Sequence, residues 1–145
     1  MIKVFLLALI LVLFTACGEG VLADGTLPEN VIEIDDHAFA TRVQDILLDA
    51  ENYVGRAIRY EGIFWRFPIP DAHVDMVFRL MASCCSTLEI GFEVYLNDIE
   101  IPPNDTWVEV LGILEPFEYR GQTFFRLNVL TLEERPERGV DFIFN

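Results

Sequence analysis

Residues 81–88 read Met-Ala-Ser-Cys-Cys-Ser-Thr-Leu, and the adjacent thiols of Cys84 and Cys85 carry the sharpest chemistry in the chain. Thiolates bind soft ions such as zinc and copper(I), and tetrahedral zinc needs further donors. The candidate nitrogen ligands are the two histidines of the sequence. His73 lies in the run Asp71-Ala72-His73-Val74-Asp75, and His37 stands beside Asp35 and Asp36. Neighbouring side chains in a continuous strand point to opposite faces. Cys84 and Cys85 can therefore share an ion only where the strand ends and turns, which Ser83 and Ser86 allow. No CxxC spacing is present. Two other readings stand beside the metal site. Cys84 can continue the face of Phe78, Leu80 and Ala82 as a small buried hydrophobe, with Cys85 partly exposed. Alternatively the pair does thiol redox chemistry, without the CxxC-plus-helix arrangement that lowers a thiol pKa. A bridge between neighbours is strained, because consecutive α-carbons are about 3.8 Å apart and disulfides favour about 5.5 Å.

The third cysteine, Cys17, ends a different kind of segment. Residues 1–16 are MIKVFLLALILVLFTA, with Lys3 ahead of an apolar run from Val4 to Phe14. The run is shorter than the roughly 20 residues that span a bilayer. Its basic start and small-residue end predict a signal peptide. Thr15-Ala16-Cys17 resembles a lipobox, so Cys17 is the expected site of lipidation; an uncleaved anchor is the alternative. Both place the remainder at the cell membrane, on the extracytoplasmic side. Residues 17–30, with three glycines and a proline, read as a tether.

The formal charge is −14, and Lys3 is the single lysine, so the chain past Cys17 sets nine arginines against 24 carboxylates. Such a surface repels phosphate backbones, which argues against nucleic acid as a partner. No serine–histidine–aspartate order, phosphate loop or two-carboxylate pocket is recognisable, and the expectation is a protein that is not an enzyme.

The elements that must position the cysteines belong to one domain over residues 31–145. Val31-Ile32-Glu33-Ile34 reads as a short strand. Asp35 or Asp36 caps a helix to about Ala50, whose stripe is Phe39, Val43, Ile46 and Leu47. Five strands follow, at about 58–67, 74–83, 91–96, 107–114 and 124–132, separated by turn residues. Gly62 and Gly112 inside strands suggest the kinks of a coiled barrel. The expected fold is mainly β: a small five-stranded OB-like barrel preceded by one amphipathic helix, with an open antiparallel sheet packed on the helix as the alternative. Trp65, Trp107 and Tyr95 are the candidate ligand or partner face, although aromatics at strand spacing are more often core.

Four segments, "IEIDDHAF", "YVGRAIRYEGIFWR", "FRLMASCC" and "DTWVEVLGIL", occur in an order that resembles YcgQ-like permease-subunit proteins. The double cysteine after an apolar strand is the most specific element. The chain departs from the family in having no run of transmembrane helices, and in continuing Ser86-Thr87-Leu88 where a small residue and Ala-Asp are usual; Glu89 is the nearest carboxylate. The resemblance implies an extracytoplasmic accessory to a membrane permease, with metal handling as its implied work.

Overall fold

A computed structural model describes residues 28–82 and 84–144. The signal segment, Cys17 and all of the tether before Pro28 lie outside the described residues. Seven strands and one α-helix run in the order β1 (Val31–Glu33), α1 (Phe39–Leu48), β2 (Ala57–Ile69), β3 (Ala72–Ala82), β4 (Thr87–Tyr95), β5 (Thr106–Tyr119), β6 (Gln122–Glu134) and β7 (Phe142–Phe144). The strands are longer than their apolar patterns indicate, because hairpins extend the pairing into polar residues at their tips.

Strands β2 to β6 close on themselves. Antiparallel pairing joins β2 to β3, β3 to β4, β5 to β6 and β2 to β5, and a parallel pair joins β4 to β6. The resulting cycle, β2-β3-β4-β6-β5-β2, is the five-stranded barrel expected from the sequence, and closure removes the exposed edges of an open sheet. Two short strands extend it: β1 lies parallel to the start of β2, and β7 parallel to the end of β3. No strand was expected at β7, whose three residues are too few to show a period.

Alternation on β2 follows the sequence pattern. Ile58, Tyr60 and Phe64 are buried in the barrel core, whereas Arg59 and Glu61 are only partly buried. On β3 the pattern inverts. Val77 and Met81 join the core, while Phe78 belongs to a separate apolar cluster with Ile63 and Trp107, against which Leu80 packs. A run such as Ile63-Phe64-Trp65-Arg66-Phe67 supplies both faces, and apolar identity does not tell inside from outside.

Gly91 permits the tightest approach in the barrel. A Cβ there would lie 2.1 Å from the Val77 carbonyl oxygen and 2.6 Å from the Phe78 Cα, so β4 crosses β3 backbone to backbone. Phe39, Val43 and Ile46 of α1 complete the core, as their spacing requires. Leu47, expected in that stripe, is 45% exposed. Asp35 caps the turn that leads into the helix, accepting hydrogen bonds from the His37 and Ala38 amides at 3.1 and 3.2 Å. Inside the core the Tyr60 hydroxyl donates to the Val77 carbonyl at 2.7 Å and accepts from the Phe92 amide at 3.3 Å. Burial pushes its pKa far up, which keeps the hydroxyl protonated and both bonds intact.

Candidate functional site

Strand β3 ends at Ala82, paired with Thr87 of β4, so the cysteines sit in the hairpin turn between them. Both are exposed and free. The Cys84 residue is thus not the buried continuation of a strand face. Leaving the strand also lifts the constraint of opposite faces, and the two Sγ atoms approach to 3.4 Å. Two thiolates on one tetrahedral zinc, each about 2.3 Å from the ion, are about 3.8 Å apart. A small side-chain rotation covers that difference, so the pair has the bite of a bidentate soft-metal ligand.

The histidines are elsewhere. His73 pairs with Pro68 at the opposite end of β3, some 30 Å along the strand at about 3.3 Å per residue. His37 lines a cavity of about 320 Å³ at the junction of α1 and the barrel, together with Asp36, Glu61, Arg79 and Glu109. Among the described residues, no group of three or more His, Cys, Asp or Glu side chains is placed to hold a metal ion. Among the described residues the two thiols are therefore the donors brought together at this turn.

The same strands carry an apolar groove on the outer surface. Ile63, Trp65 and Phe67 of β2 and Phe78 and Leu80 of β3 line a space of about 290 Å³, with Glu89, Asp105 and Arg138 at its edge. Arg138 is fixed there by Asp105 at 3.0 Å and Asp141 at 2.9 Å. Trp65 and Trp107, two of the residues named from the sequence as a candidate face, meet in one cluster, but Trp107 is only 4% exposed and packs there with Ile63 and Phe78. Leu80 pairs with Glu89 only a few residues from the cysteine turn, which puts groove and thiols on one β-hairpin. The apolar run Ile63-Phe64-Trp65, with Phe67 beyond Arg66, was the available signal, since one packed face needs only alternate residues.

Tyr95 lies in another cluster. It is 46% exposed, and the Arg126 guanidinium is 4.2 Å from its ring centroid and 4.8 Å from that of Phe117. Nearby on β4, burial raises the pKa of the Glu93 carboxyl, with Arg126 acting in the opposite direction. A carboxyl with a raised pKa binds its proton more tightly in the folded state. Its contribution to stability is present at pH below the usual carboxylate range and is lost as pH rises through the raised value. Glu93→Gln is therefore expected to raise Tm at pH 7 and to change it little below about pH 4, as thermal denaturation at the two pH values would read.

A third arrangement surrounds Arg79, on the face of β3 opposite Phe78 and Leu80. It is 2% exposed, donates to the Glu61 carbonyl at 2.8 Å and to Asp36 at 2.5 Å, and lies over the Phe39 ring at 4.4 Å. At the end of β6, Arg135 gathers Glu109 at 2.6 Å, Glu133 at 3.4 Å and Glu61 at 3.5 Å.

The chain is a small, mainly β protein: a closed five-stranded barrel with an exposed dithiol turn and an outer apolar groove. The chain is a member of the DUF1980 family: the model of the DUF1980 C-terminal domain matches residues 21–145. The resemblance to YcgQ-like proteins read from the sequence is thereby correct at the level of the family. No curated relative and no solved structure matches the chain significantly.

Proposed function

We propose that this chain is a membrane-tethered, extracytoplasmic accessory protein that carries a soft metal ion, zinc or copper(I), on Cys84 and Cys85 for a permease. The observation that supports it is the 3.4 Å separation of two exposed, free thiols at a hairpin tip. Two donors without a third among the described residues make an incomplete shell, and an incomplete shell favours transfer over storage. An ion held this way stays open to ligands from a partner, which suits a carrier better than an enzyme or a structural zinc site.

Anchoring rests on residues 1–17, whose pattern is that of a lipoprotein signal; among the described residues no helix is long and apolar enough to cross a membrane. A second reading, a protein–protein interaction module without metal, is favoured by the outer groove at Trp65 and Phe67. Zinc and copper(I) titrations of the full chain separate the two, because Cys84→Ser with Cys85→Ser should abolish uptake on the first reading and leave partner binding intact on the second.

A further inference from the structure

The tip of the β5–β6 hairpin carries exposed aromatic side chains that the barrel does not need. Tyr119 is 44% and Phe124 42% exposed, with ring centroids 6.4 Å apart, and Phe117 lies 5.9 Å from Phe124. Arg120 stacks over Tyr119 at 5.2 Å. The turn itself, Arg120-Gly121, has positive φ at both residues (51° and 78°), the conformation of a tight two-residue hairpin. Between Glu115 and Arg126 the hairpin sets two carboxylates, Glu115 and Glu118, against two guanidiniums, Arg120 and Arg126, in a chain of charge −14. It is an aromatic projection of zero net charge on an acidic protein.

Strand polarity fixes where it points. Val31 of β1 pairs with Ala57, and Ala57 with Ile113 of β5. Because β5 is antiparallel to β2, and β1 parallel to it, β5 continues past Ile113 toward the end of the barrel at which the chain enters from Pro28. The loop before β2 is bound at the root of this projection, with the Gly55 amide donating to the Leu114 carbonyl at 2.8 Å, and Val54 beside it is 43% exposed. Six residues from Ile113 to Tyr119 extend about 20 Å. Ten residues of sequence separate Cys17 from Pro28, so the attachment point is at most about 40 Å of chain away. The hairpin's reach of about 20 Å lies within that covalent limit, at the end of the barrel where the chain enters.

We infer that the β5–β6 hairpin is a second membrane contact, inserting Tyr119 and Phe124 into the interfacial layer of the bilayer to which residue 17 is attached. Aromatic side chains favour that layer, and Arg120 at the tip can meet lipid phosphates. One weak contact beside one anchor is enough to hold an orientation. The consequence is that the barrel does not tumble on its tether but stands with this end down. The inference rests on the anchored reading above.

The test uses the full chain reconstituted into vesicles of equal parts phosphatidylcholine and phosphatidylglycerol, with acyl chains brominated close to the headgroup. Trp65 and Trp107 lie toward the other end of the strands and serve as internal references; Phe124→Trp reports on the tip. Flotation with the vesicles together with loss of the emission added by Phe124→Trp, but not of the reference emission, is the expected result. Flotation without that loss overturns the hairpin contact and leaves the anchor standing, whereas failure to float overturns both. If Phe124→Trp does not fold by circular dichroism, Tyr119→Trp at the exposed tip replaces it.

Discussion

Replacing Gly91 with alanine is expected to cost more than about 4 kcal/mol, the range reached only when a substitution cannot be absorbed locally. The new Cβ would fall 2.1 Å from the Val77 carbonyl oxygen, 2.6 Å from the Phe78 Cα and 2.9 Å from its Cβ. The two closest obstacles are backbone atoms of the adjoining strand, so no side-chain rotation relieves them. Relief requires β4 to move away from β3, which breaks the pairs Val77–Phe92 and Phe78–Gly91 and opens the barrel. Against a total stability of about 5–15 kcal/mol for a domain of this size, most molecules of a marginal variant would be unfolded. The same movement would displace the turn that carries Cys84 and Cys85. Urea denaturation followed by far-ultraviolet circular dichroism measures the loss, and a loss below about 1 kcal/mol would contradict the closed barrel. Gly121→Ala is the control: nothing lies within 4 Å of its added carbon, and only the φ of 78° opposes it, for about 1 kcal/mol.

The second large effect is expected at Asp36. Among the described residues Arg79 is the largest fully buried side chain, and its charge meets one carboxylate, Asp36, together with the Glu61 carbonyl and the rings of Phe39 and Trp107. Asp36→Ala leaves a guanidinium in the barrel seam with a carbonyl and two ring faces as its remaining partners. Removing one member of a buried pair typically costs about 3–5 kcal/mol. The lower end, about 3 kcal/mol, is expected here because Asp36 itself is 53% exposed and water reaches the site when it is truncated. Arg79→Met removes the charge along with its need for a partner and keeps most of the side-chain volume, so it should cost less than Asp36→Ala. Chemical denaturation of the two variants decides the order; an Asp36→Ala variant as stable as the parent would show that Arg79 finds water.

The barrel was legible because its determinants are local and repeated. Ile58, Tyr60 and Phe64 alternate against Arg59 and Glu61, turn residues fall at regular intervals, and glycines stand where strands must bend. Closure through the parallel pair Val94–Leu127 and Tyr95–Asn128 leaves no such mark, since parallel pairing joins residues distant in sequence. The cysteine turn was half legible. Adjacency showed that both thiols could meet one ion only off a strand, and the strand does end at Ala82. The supporting ligands named from the sequence, His73 and His37, are not brought to the thiols, because the fold puts one at the far end of β3 and the other at the entry to α1. Arg79 shows the limit most clearly. A lone arginine between Phe78 and Leu80 reads as solvent-facing, and only the arrival of Asp36 and Phe39 from a segment some forty residues earlier makes its burial tolerable.

The measurement that bears most directly on the metal-carrier account is a competition titration of the full chain in detergent, under strict reduction, with zinc and with copper(I). The parent protein and the Cys84→Ser, Cys85→Ser double variant are run in parallel, and free thiols are counted before and after. The account predicts one tightly held ion per chain in the parent, with both thiols protected, and loss of that uptake in the variant. Equal, weak uptake by both proteins, with the thiols still fully reactive, would contradict it and assign the binding to the acidic surface.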